Sequence, residues 1–296
     1  MADLGSDLLY DRSARTRFRL GFDRAVGWLL PLLFLVAILP ILDMVYFVSA
    51  HALPHLTVQV LTTTSPYQVD ALRVPIISTL YMMTLATALA IVFGLFGGIA
   101  TAEILPERLA GHVRTSANLL AGTPSVAFGY FGYFAFVIAF GWGLSFIAGA
   151  LTLAFFMTPY IFRTADLAFT SVPRHIREAA LGSGASPSQY IVRVATPIAF
   201  PQILTGVFLA LAIGVGETAP IWLTTTPGIL VPQNWTAPVT VLTELIWENF
   251  AAPPGSGLQI LAWQAAFLLL VVVVALNIVV RLFAWRYQKR LEGLYQ

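Results

Sequence analysis

The sequence contains no cysteine and a single lysine, and both scarcities exclude kinds of chemistry. Without cysteine the chain can form no disulfide scaffold, no cysteine-ligated zinc or iron–sulfur site and no thiol nucleophile. The one lysine, Lys289, lies between Gln288 and Arg290 in a basic tail. A Walker A loop requires a lysine that follows a glycine-rich turn and precedes serine or threonine. The chain therefore cannot bind ATP through this motif.

Charged residues are scarce as well, at 10% of 296 residues, whereas a typical soluble domain contains about 25%. Hydrophobic residues make up 58%, which is the composition of a membrane protein. The net charge of +2 is too small a basic excess for a nucleic-acid-binding protein. No HExxH motif is present, and the four histidines are scattered except for His51 and His55. We therefore expect neither a metal site nor a nucleic-acid partner.

Long uncharged stretches predict an all-α, polytopic membrane protein with about six transmembrane helices, because about 20 largely apolar residues cross the hydrocarbon core. Residues 74–102 carry no charge. Residues 115–162 carry none either and are long enough for two crossings, with a turn at 141–143. The other three spans are predicted near 25–50, which contains Asp43, at 201–222, which contains Glu217, and within 258–282.

Basic residues are expected on the cytoplasmic side of these spans, and their positions agree with the predicted topology. The opposite side has only Arg73, and its long loop, 224–257, contains Glu244 and Glu248 but no basic residue. Both termini are therefore predicted to be cytoplasmic, with segments 1–24 and 287–296 flanking one transmembrane domain, 25–286. The basic residues assigned to the cytoplasmic side are Arg12, Arg15, Arg17, Arg19, Arg24, Arg108, Arg114, Arg174, Arg177, Arg193, Arg281, Arg286, Lys289 and Arg290.

The cytoplasmic loop 171–196 is polar but has the order of a short surface helix followed by a turn. Pro173 is suited to open the helix, residues 177–181 are good helix formers, and Gly182, Gly184 and Pro187 would end it. The alternative is a plain connector between two spans, although loops of this length are uncommon unless they are functional or disordered.

This loop resembles the EAA loop of ABC importer permeases, since it reads EAA at 178–180 and GAS at 184–186 and leads through Pro197 into the next span. In that family the loop forms a coupling helix that docks into a groove of the ATPase subunit. The resemblance implies that this chain is not an enzyme and binds no cofactor, with ATP and Mg²⁺ held by the partner ATPase. The coupling residues it implies are Glu178, Ala179, Ala180, Gly184 and Pro197.

Two further segments resemble the phosphate-specific importers of the ABC class. Residues 216–220 (GETAP) are similar to one signature of that family, and 121–129 (AGTPSVAFG) to its PSxxxG segment. Arg163 and Asp166, three residues apart after Pro159, also resemble it. The likeness runs from about residue 74 to the C-terminus. This chain is more similar to the A-type than to the C-type permease subunit, because it lacks the longer N-terminal region of the C type.

The resemblance implies a type I ABC importer permease fold in a bacterial or archaeal cytoplasmic (inner) membrane. The implied partners are a companion C-type permease, a homodimeric ATPase and an extracytoplasmic phosphate-binding protein, besides membrane lipid. One position departs from the family pattern, because Ile213 stands where an arginine usually precedes the signature glutamate by four residues. Another oxyanion, such as sulfate, molybdate or tungstate, therefore remains an alternative substrate. An ion-coupled secondary transporter is an alternative from another class.

Charged residues at membrane depth are costly, so Arg163, Asp166, Glu217 and the adjacent Thr218 are the candidate translocation pathway. Arg163 could instead extend to the cytoplasmic interface, and Asp166 could simply pair with it. For Glu217 we hypothesise an ion pair with an arginine of the companion permease, and a purely structural ion pair is the alternative. A gate is proposed at Thr123, Pro124 and Ser125, where the alternative is an ordinary helix start.

Overall fold

The computed structural model describes residues 14–62 and 72–292, and all regular secondary structure in these ranges is helical, which confirms the all-α class. The outer parts of the two terminal segments, 1–13 and 293–296, lie outside the described residues. Three π-helical segments, Ala100–Ile104, Tyr133–Ala139 and Ile191–Ala195, extend α3, α5 and α8. The helices are α1 (Ala14–Ala52), α2 (Val58–Thr62), α3 (Arg73–Ile99), α4 (Glu107–Ala121), α5 (Ser125–Gly132), α6 (Phe146–Thr170), α7 (Arg174–Gly182), α8 (Pro187–Tyr190), α9 (Thr196–Val215), α10 (Ala219–Trp222), α11 (Leu242–Asn249) and α12 (Gly257–Glu292).

Five helical stretches are long and apolar enough to cross a membrane, and a bent helix pair raises the number to six if it counts as one span. This agrees with the predicted count. The bent pair is Glu107–Ala121 with Ser125–Ala139. The five stretches are Val26–His55, Arg73–Ile104, Phe146–Thr170, Pro187–Val215 and Gly257–Val279.

The third span differs from the straight helix expected in the first half of 115–162, because α4 and the α5 segment are bent by 101°. The chain breaks between them at Gly122, Thr123 and Pro124, and Pro124 has an extended ψ of 138° before α5 begins. Proline disfavours helical geometry in the residue before it and offers no backbone N–H to continue a helix. The predicted turn at 141–143 is confirmed, since Gly141 and Gly143 have φ values of +69° and +67°.

The described residues up to His51 form one compact unit, and those from Ala52 onward form another. The described part of the first unit is helix α1 as far as His51. None of its most apolar stretch is buried within the chain, as expected for side chains that face lipid or another subunit.

The core of the second unit lies where α6 packs between α3 and α9. Small residues permit this close packing, as is common between membrane helices. A Cβ atom on Gly98 would lie 2.6 Å from Ala165 Cβ and 2.8 Å from the backbone nitrogen of Asp166. The α3–α6 contact therefore holds the end of α6, which carries Arg163 and Asp166, in a fixed position beside α3.

The fifth span also differs from the expected 201–222. Helical structure begins at Pro187 and α9 ends at Val215, so Glu217 lies in a break before the short α10 and not inside a helix. Pro220 stands in the first turn of α10, where its missing N–H is tolerated, whereas it would interrupt a continuous helix. The break leaves Gly216, Glu217 and Thr218 outside regular helix, while the last two residues of the GETAP segment begin α10.

Candidate functional site

The two segments that resemble phosphate-importer signatures are in contact. The Ser125 hydroxyl at the start of α5 is placed to donate a hydrogen bond to the Glu217 carboxylate. Four residues further along α5, a Cβ atom on Gly129 would lie 2.9 Å from the carbonyl oxygen of Ala219 and 2.6 Å from Leu223 Cδ1. The break after α9 and the bend before α5 therefore meet, and each positions a polar side chain at the meeting point.

Glu217 and Thr218 are both half-buried at this contact. Among the described side chains, no basic group lies within ion-pair distance of Glu217. Ile213, in the last turn of α9, packs against the apolar core, so it contributes no charge to this contact. The hypothesis that Glu217 pairs with an arginine from another subunit remains a prediction.

Asp166 pairs with Arg114 on α4, so the alternative in which it simply pairs with Arg163 is wrong. The guanidinium of Arg114 donates through Nε to Oδ2 at 2.9 Å and through Nη2 to Oδ1 at 3.0 Å. The bend between α4 and α5 places α4 beside the end of α6, where Arg114 meets the carboxylate in bidentate geometry. Arg163 is exposed, and within the described residues it forms no ion pair with Asp166. Its place in a translocation pathway stays a prediction.

Breaking the Arg114–Asp166 pair is expected to destabilise the protein by about 1–3 kcal/mol, because it leaves a partly buried charge uncompensated. The side chains of Arg114 and Asp166 are 28% and 14% exposed. We expect Asp166→Ala to lower the melting temperature of the detergent-solubilised complex. Glu107→Ala is the control, since Glu107 also contacts Arg114, at 3.1 Å, but is 89% exposed. Equal effects of the two substitutions would contradict this account.

The proposed gate residues occupy the bend itself. The Thr123 hydroxyl donates to the Leu119 carbonyl at 2.9 Å, Pro124 precedes α5, and Ser125 faces Glu217. Beside Thr123 lies an open, mostly apolar cavity of about 470 Å³. Thr158, the other polar residue of its lining, donates its hydroxyl to the Ala154 carbonyl at 2.7 Å. This cavity offers little to an oxyanion, so among these three residues Ser125 is the one placed to act on a charged group.

The loop that resembles the EAA loop forms the predicted short surface helix and turn. Helix α7 follows Pro173 and contains no buried residue. Glu178 and Ala179 are exposed, while Ala180 packs against the core residues below the helix. The helix ends in a turn in which Gly184 has a φ of +86°. The predicted local structure is therefore confirmed, whereas the choice between a coupling loop and a plain connector stays a prediction.

The residues after this turn lead directly into the fifth span. Ser186 and Gln189 form a capping box at the start of α8, which continues through the π-helical segment into α9. Pro197 is exposed in the first turn of α9. The three implied signature positions, Glu178, Gly184 and Pro197, all lie at the surface, where another subunit can reach them.

Glu244 lies in the first turn of α11, between the last two spans, and is buried. Only 1% of the residue is accessible, Thr225 Oγ1 donates to its Oε1 at 3.1 Å, and no described group donates to Oε2. Burial, together with the nearby Glu248 carboxylate, raises the pKa of Glu244 from 4.5 to about 7. Glu248 is exposed and remains at the surface.

The raised pKa of Glu244 predicts that the protein loses stability as the pH rises. The folded state binds this proton more tightly than the unfolded chain does. The proton's contribution to the free energy of unfolding is therefore complete below about pH 4.5 and is lost as the pH rises through about 7. When complete, this contribution is about 3 kcal/mol. We expect Glu244→Gln to raise the melting temperature at pH 8 and to change it little at pH 5, with Glu107→Gln, at a side chain that is 89% exposed, as the control. A variant that melts lower at pH 8 would contradict this assignment.

Sequence reasoning missed two features of the site. It identified Ser125 and Glu217 separately but gave no sign that they meet, because 92 positions separate them and no periodicity links them. It also passed over Glu103, which carries the first charge after the long uncharged stretch of the second span. A single acidic residue at the end of an uncharged span could have identified Glu103 as a candidate.

Comparison with known proteins gives consistent matches. Residues 90–289 match the family model described as binding-protein-dependent transport system inner membrane component. The phosphate transport system permease protein PstA 2 of Mycobacterium bovis is 34% identical over 263 residues, which cover 86% of this chain and 85% of the relative. The phosphate transport system permease protein PstA of Haemophilus influenzae is 32% identical over 238 residues, which cover 78% of this chain and 82% of the relative.

Solved structures of the same fold include an inward-facing MetNI methionine ABC transporter, with a TM-score of 0.60 at 17% identity. The match covers 72% of this chain and 94% of that one. An amino acid ABC transporter matches with a TM-score of 0.53 at 18% identity, and the match covers 71% of this chain and 91% of that one. At these identities the likeness confirms the predicted fold of ABC importer permeases.

Proposed function

This chain belongs to the binding-protein-dependent transport system inner membrane components and, within them, to the PstA-type permeases, and from this membership we propose how it works. It is a multi-pass subunit of the inner membrane that carries inorganic phosphate across that membrane in an ATP-driven importer. The observation that carries this assignment is the contact between Ser125 and Glu217, which joins the two phosphate-importer signatures. The names of the relatives do not favour sulfate, molybdate or tungstate, nor an ion-coupled transporter.

The remaining machinery is on partner subunits. A companion C-type permease completes the pathway, a homodimeric ATPase binds ATP and Mg²⁺, and an extracytoplasmic protein delivers phosphate. The exposed α7 and the missing Walker A motif support this division of labour, in which this chain is not an enzyme and binds no cofactor. Both termini then face the cytoplasm, with residues 25–286 as the transmembrane domain and segments 1–24 and 287–296 outside it.

Transport follows from alternating access. When the ATPase pair closes on ATP, it pulls on the loop that carries Glu178 and shifts the membrane helices, so the cavity changes the side to which it is open. Coupling through Glu178, Ala179, Ala180, Gly184 and Pro197 requires an exposed helix, which α7 provides.

Glu217 is not a direct ligand of phosphate, because a carboxylate repels an anion. We assign it the role of holding an arginine of the companion permease and releasing it toward phosphate as the cavity opens. The hydroxyl of Ser125 is consistent with this role, since it would orient the carboxylate and carries no charge of its own. Thr218 and Arg163 belong to the same proposed pathway.

A double-mutant cycle with Ser125→Ala and Glu217→Gln tests the assignment. Both single variants are expected to lower the initial rate of phosphate uptake by about tenfold, and the double variant to be no worse than the more damaging single variant, because the two groups act together. Thr115→Ala is the matched control, since the Thr115 hydroxyl on α4 is exposed and donates only to the Gly111 carbonyl, at 2.9 Å. Normal uptake by Ser125→Ala and Glu217→Gln would remove this contact from the mechanism.

A further inference from the structure

Helix α7 is tied to the membrane helices through one arginine that none of the sequence motifs includes. Arg177 Nη2 lies 3.4 Å from Glu103 Oε2. The same guanidinium is 5.7 Å from the centre of the Tyr190 ring, within the range of a cation–π interaction. The Tyr190 hydroxyl in turn interacts with the Glu103 carboxylate as a hydrogen-bond donor. Arg177, Glu103 and Tyr190, here called the anchor cluster, therefore contact one another.

The three members of the anchor cluster come from three different elements. Glu103 lies in the π-helical segment that ends the α3 span, and Tyr190 is the last residue of α8, immediately before the π-helical segment that leads into α9. Arg177 lies in the middle of α7. The anchor cluster thus joins the surface helix to the adjacent ends of two membrane spans.

Burial within the anchor cluster is unequal. The Glu103 side chain is 4% exposed and Tyr190 is 2% exposed, whereas the Arg177 side chain is 46% exposed. Among the described side chains, Arg177 is the only basic group within ion-pair distance of Glu103. A buried carboxylate without its counter-ion is strongly unfavourable, so Glu103 constrains where Arg177, and with it α7, can lie.

The ion pair is also loose in this conformation. At 3.4 Å it exceeds the usual length of a charge-assisted hydrogen bond, and Glu103 Oε2 has no hydrogen-bond partner within the described part of the chain. A small displacement of α7 that brings Arg177 Nη2 closer to Glu103 Oε2 would complete that hydrogen bond. The two flanking π-helical segments interrupt regular helix geometry, a feature often found at functional sites.

We infer that the anchor cluster is the positioning element through which movement of α7 reaches the ends of α3 and α9. The inference rests on the proposed function, because it assumes that α7 is the element on which the ATPase docks. Arg177 is a positioning residue: it transmits the displacement of α7 to Glu103 and Tyr190 and touches neither phosphate nor ATP. The rest of α7 makes few such attachments, since it contains no buried residue.

The test uses the complete importer in proteoliposomes and measures phosphate transported per ATP hydrolysed. Arg177→Gln and Glu103→Gln are each expected to lower this ratio by about tenfold, within the usual range for coupling between sites, while ATP hydrolysis continues. The double variant is expected to be no worse than either single variant, because removing both partners leaves no unpaired buried charge. Arg177→Lys, which keeps the charge, is expected to recover part of the ratio. Arg174→Gln removes an exposed arginine of the same helix and serves as the control.

A wild-type ratio in Arg177→Gln or in Glu103→Gln would overturn the inference, as would strictly additive losses in the double variant. If either variant fails to assemble, Tyr190→Phe takes its place, because it removes only one hydroxyl group. A lowered ratio of phosphate transported to ATP hydrolysed then supports the inference, and an unchanged ratio overturns it. Failure of the proposed function is distinguishable, since the wild-type complex would then show no ATP-dependent phosphate uptake at all.

Discussion

Replacing Gly184 with valine is expected to stop phosphate uptake while ATP hydrolysis continues. Gly184 has a φ of +86°, a conformation that a β-branched residue adopts only with strain of about 1–3 kcal/mol. It closes the turn after α7, where its N–H donates to the Leu181 carbonyl at 3.0 Å and the next N–H donates to the Ala180 carbonyl at 3.2 Å. Opening this turn would change the direction in which α7 meets the ATPase.

The surroundings of Gly184 separate this effect from damage to the fold. A Cβ atom there would meet no atom of the chain within 4 Å, so the substitution causes no clash inside the subunit. Gly182→Val is the matched control, because Gly182 is equally open but has no positive φ, and it is expected to reduce uptake less. Assembly and ATP hydrolysis should be measured beside uptake for both variants. Full uptake by Gly184→Val would refute the role of α7 in coupling.

Replacing Gly129 with alanine is expected to lower phosphate uptake by at least about tenfold and to destabilise the subunit by about 1–3 kcal/mol, the usual cost of overpacking. The added Cβ would lie 2.9 Å from the Ala219 carbonyl oxygen, closer than ordinary van der Waals contact. Because that atom belongs to the backbone, α5 and α10 must move apart. Ser125 then moves away from Glu217, and the contact between the two signatures is lost.

Two variants control for this prediction. Gly111→Ala, on α4, adds the same methyl group where no atom lies within 4 Å, and uptake should remain normal. Leu223→Ala in the Gly129→Ala background removes the clash with Leu223 Cδ1, at 2.6 Å, but leaves the clash with the Ala219 carbonyl oxygen. This double variant should therefore not restore uptake. Full recovery in that double variant would show that the close approach of α5 to the backbone of α10 is unimportant.

Helix α7 was predictable from local sequence, whereas the contact between Glu217 and Ser125 was not. Pro173, the helix formers at 177–181 and Gly184 act on their own neighbours in the chain, so the order of the residues determines where α7 begins and ends. Apolar length determined the approximate number of spans for the same reason.

The interruptions within spans three and five depend on tertiary packing as well as on local sequence. Pro124 and Pro220 signal a break, but a proline at a helix start and one that kinks a continuous helix look alike in sequence. The partner of Asp166 could not be predicted either, because Arg114 reaches it only after the 101° bend turns α4 alongside α6. Arg163, which is closer in sequence, is exposed and forms no ion pair with Asp166 among the described side chains.

Ile213 shows how a departure from a family pattern can be accommodated. The side chain packs against the apolar core at the end of α9, where an arginine would have to leave the core to find a partner. The proposed mechanism therefore places the positive charge that faces Glu217 on the companion permease.

The most direct test of the central claim is uptake of labelled phosphate into proteoliposomes that contain this chain, its companion permease, the ATPase pair and the binding protein. ATP is varied, and sulfate is added as a competitor. The account predicts phosphate uptake that depends on ATP and resists sulfate, which would also show that an arginine at position 213 is dispensable. Uptake of sulfate in place of phosphate, or phosphate uptake without ATP, would contradict it.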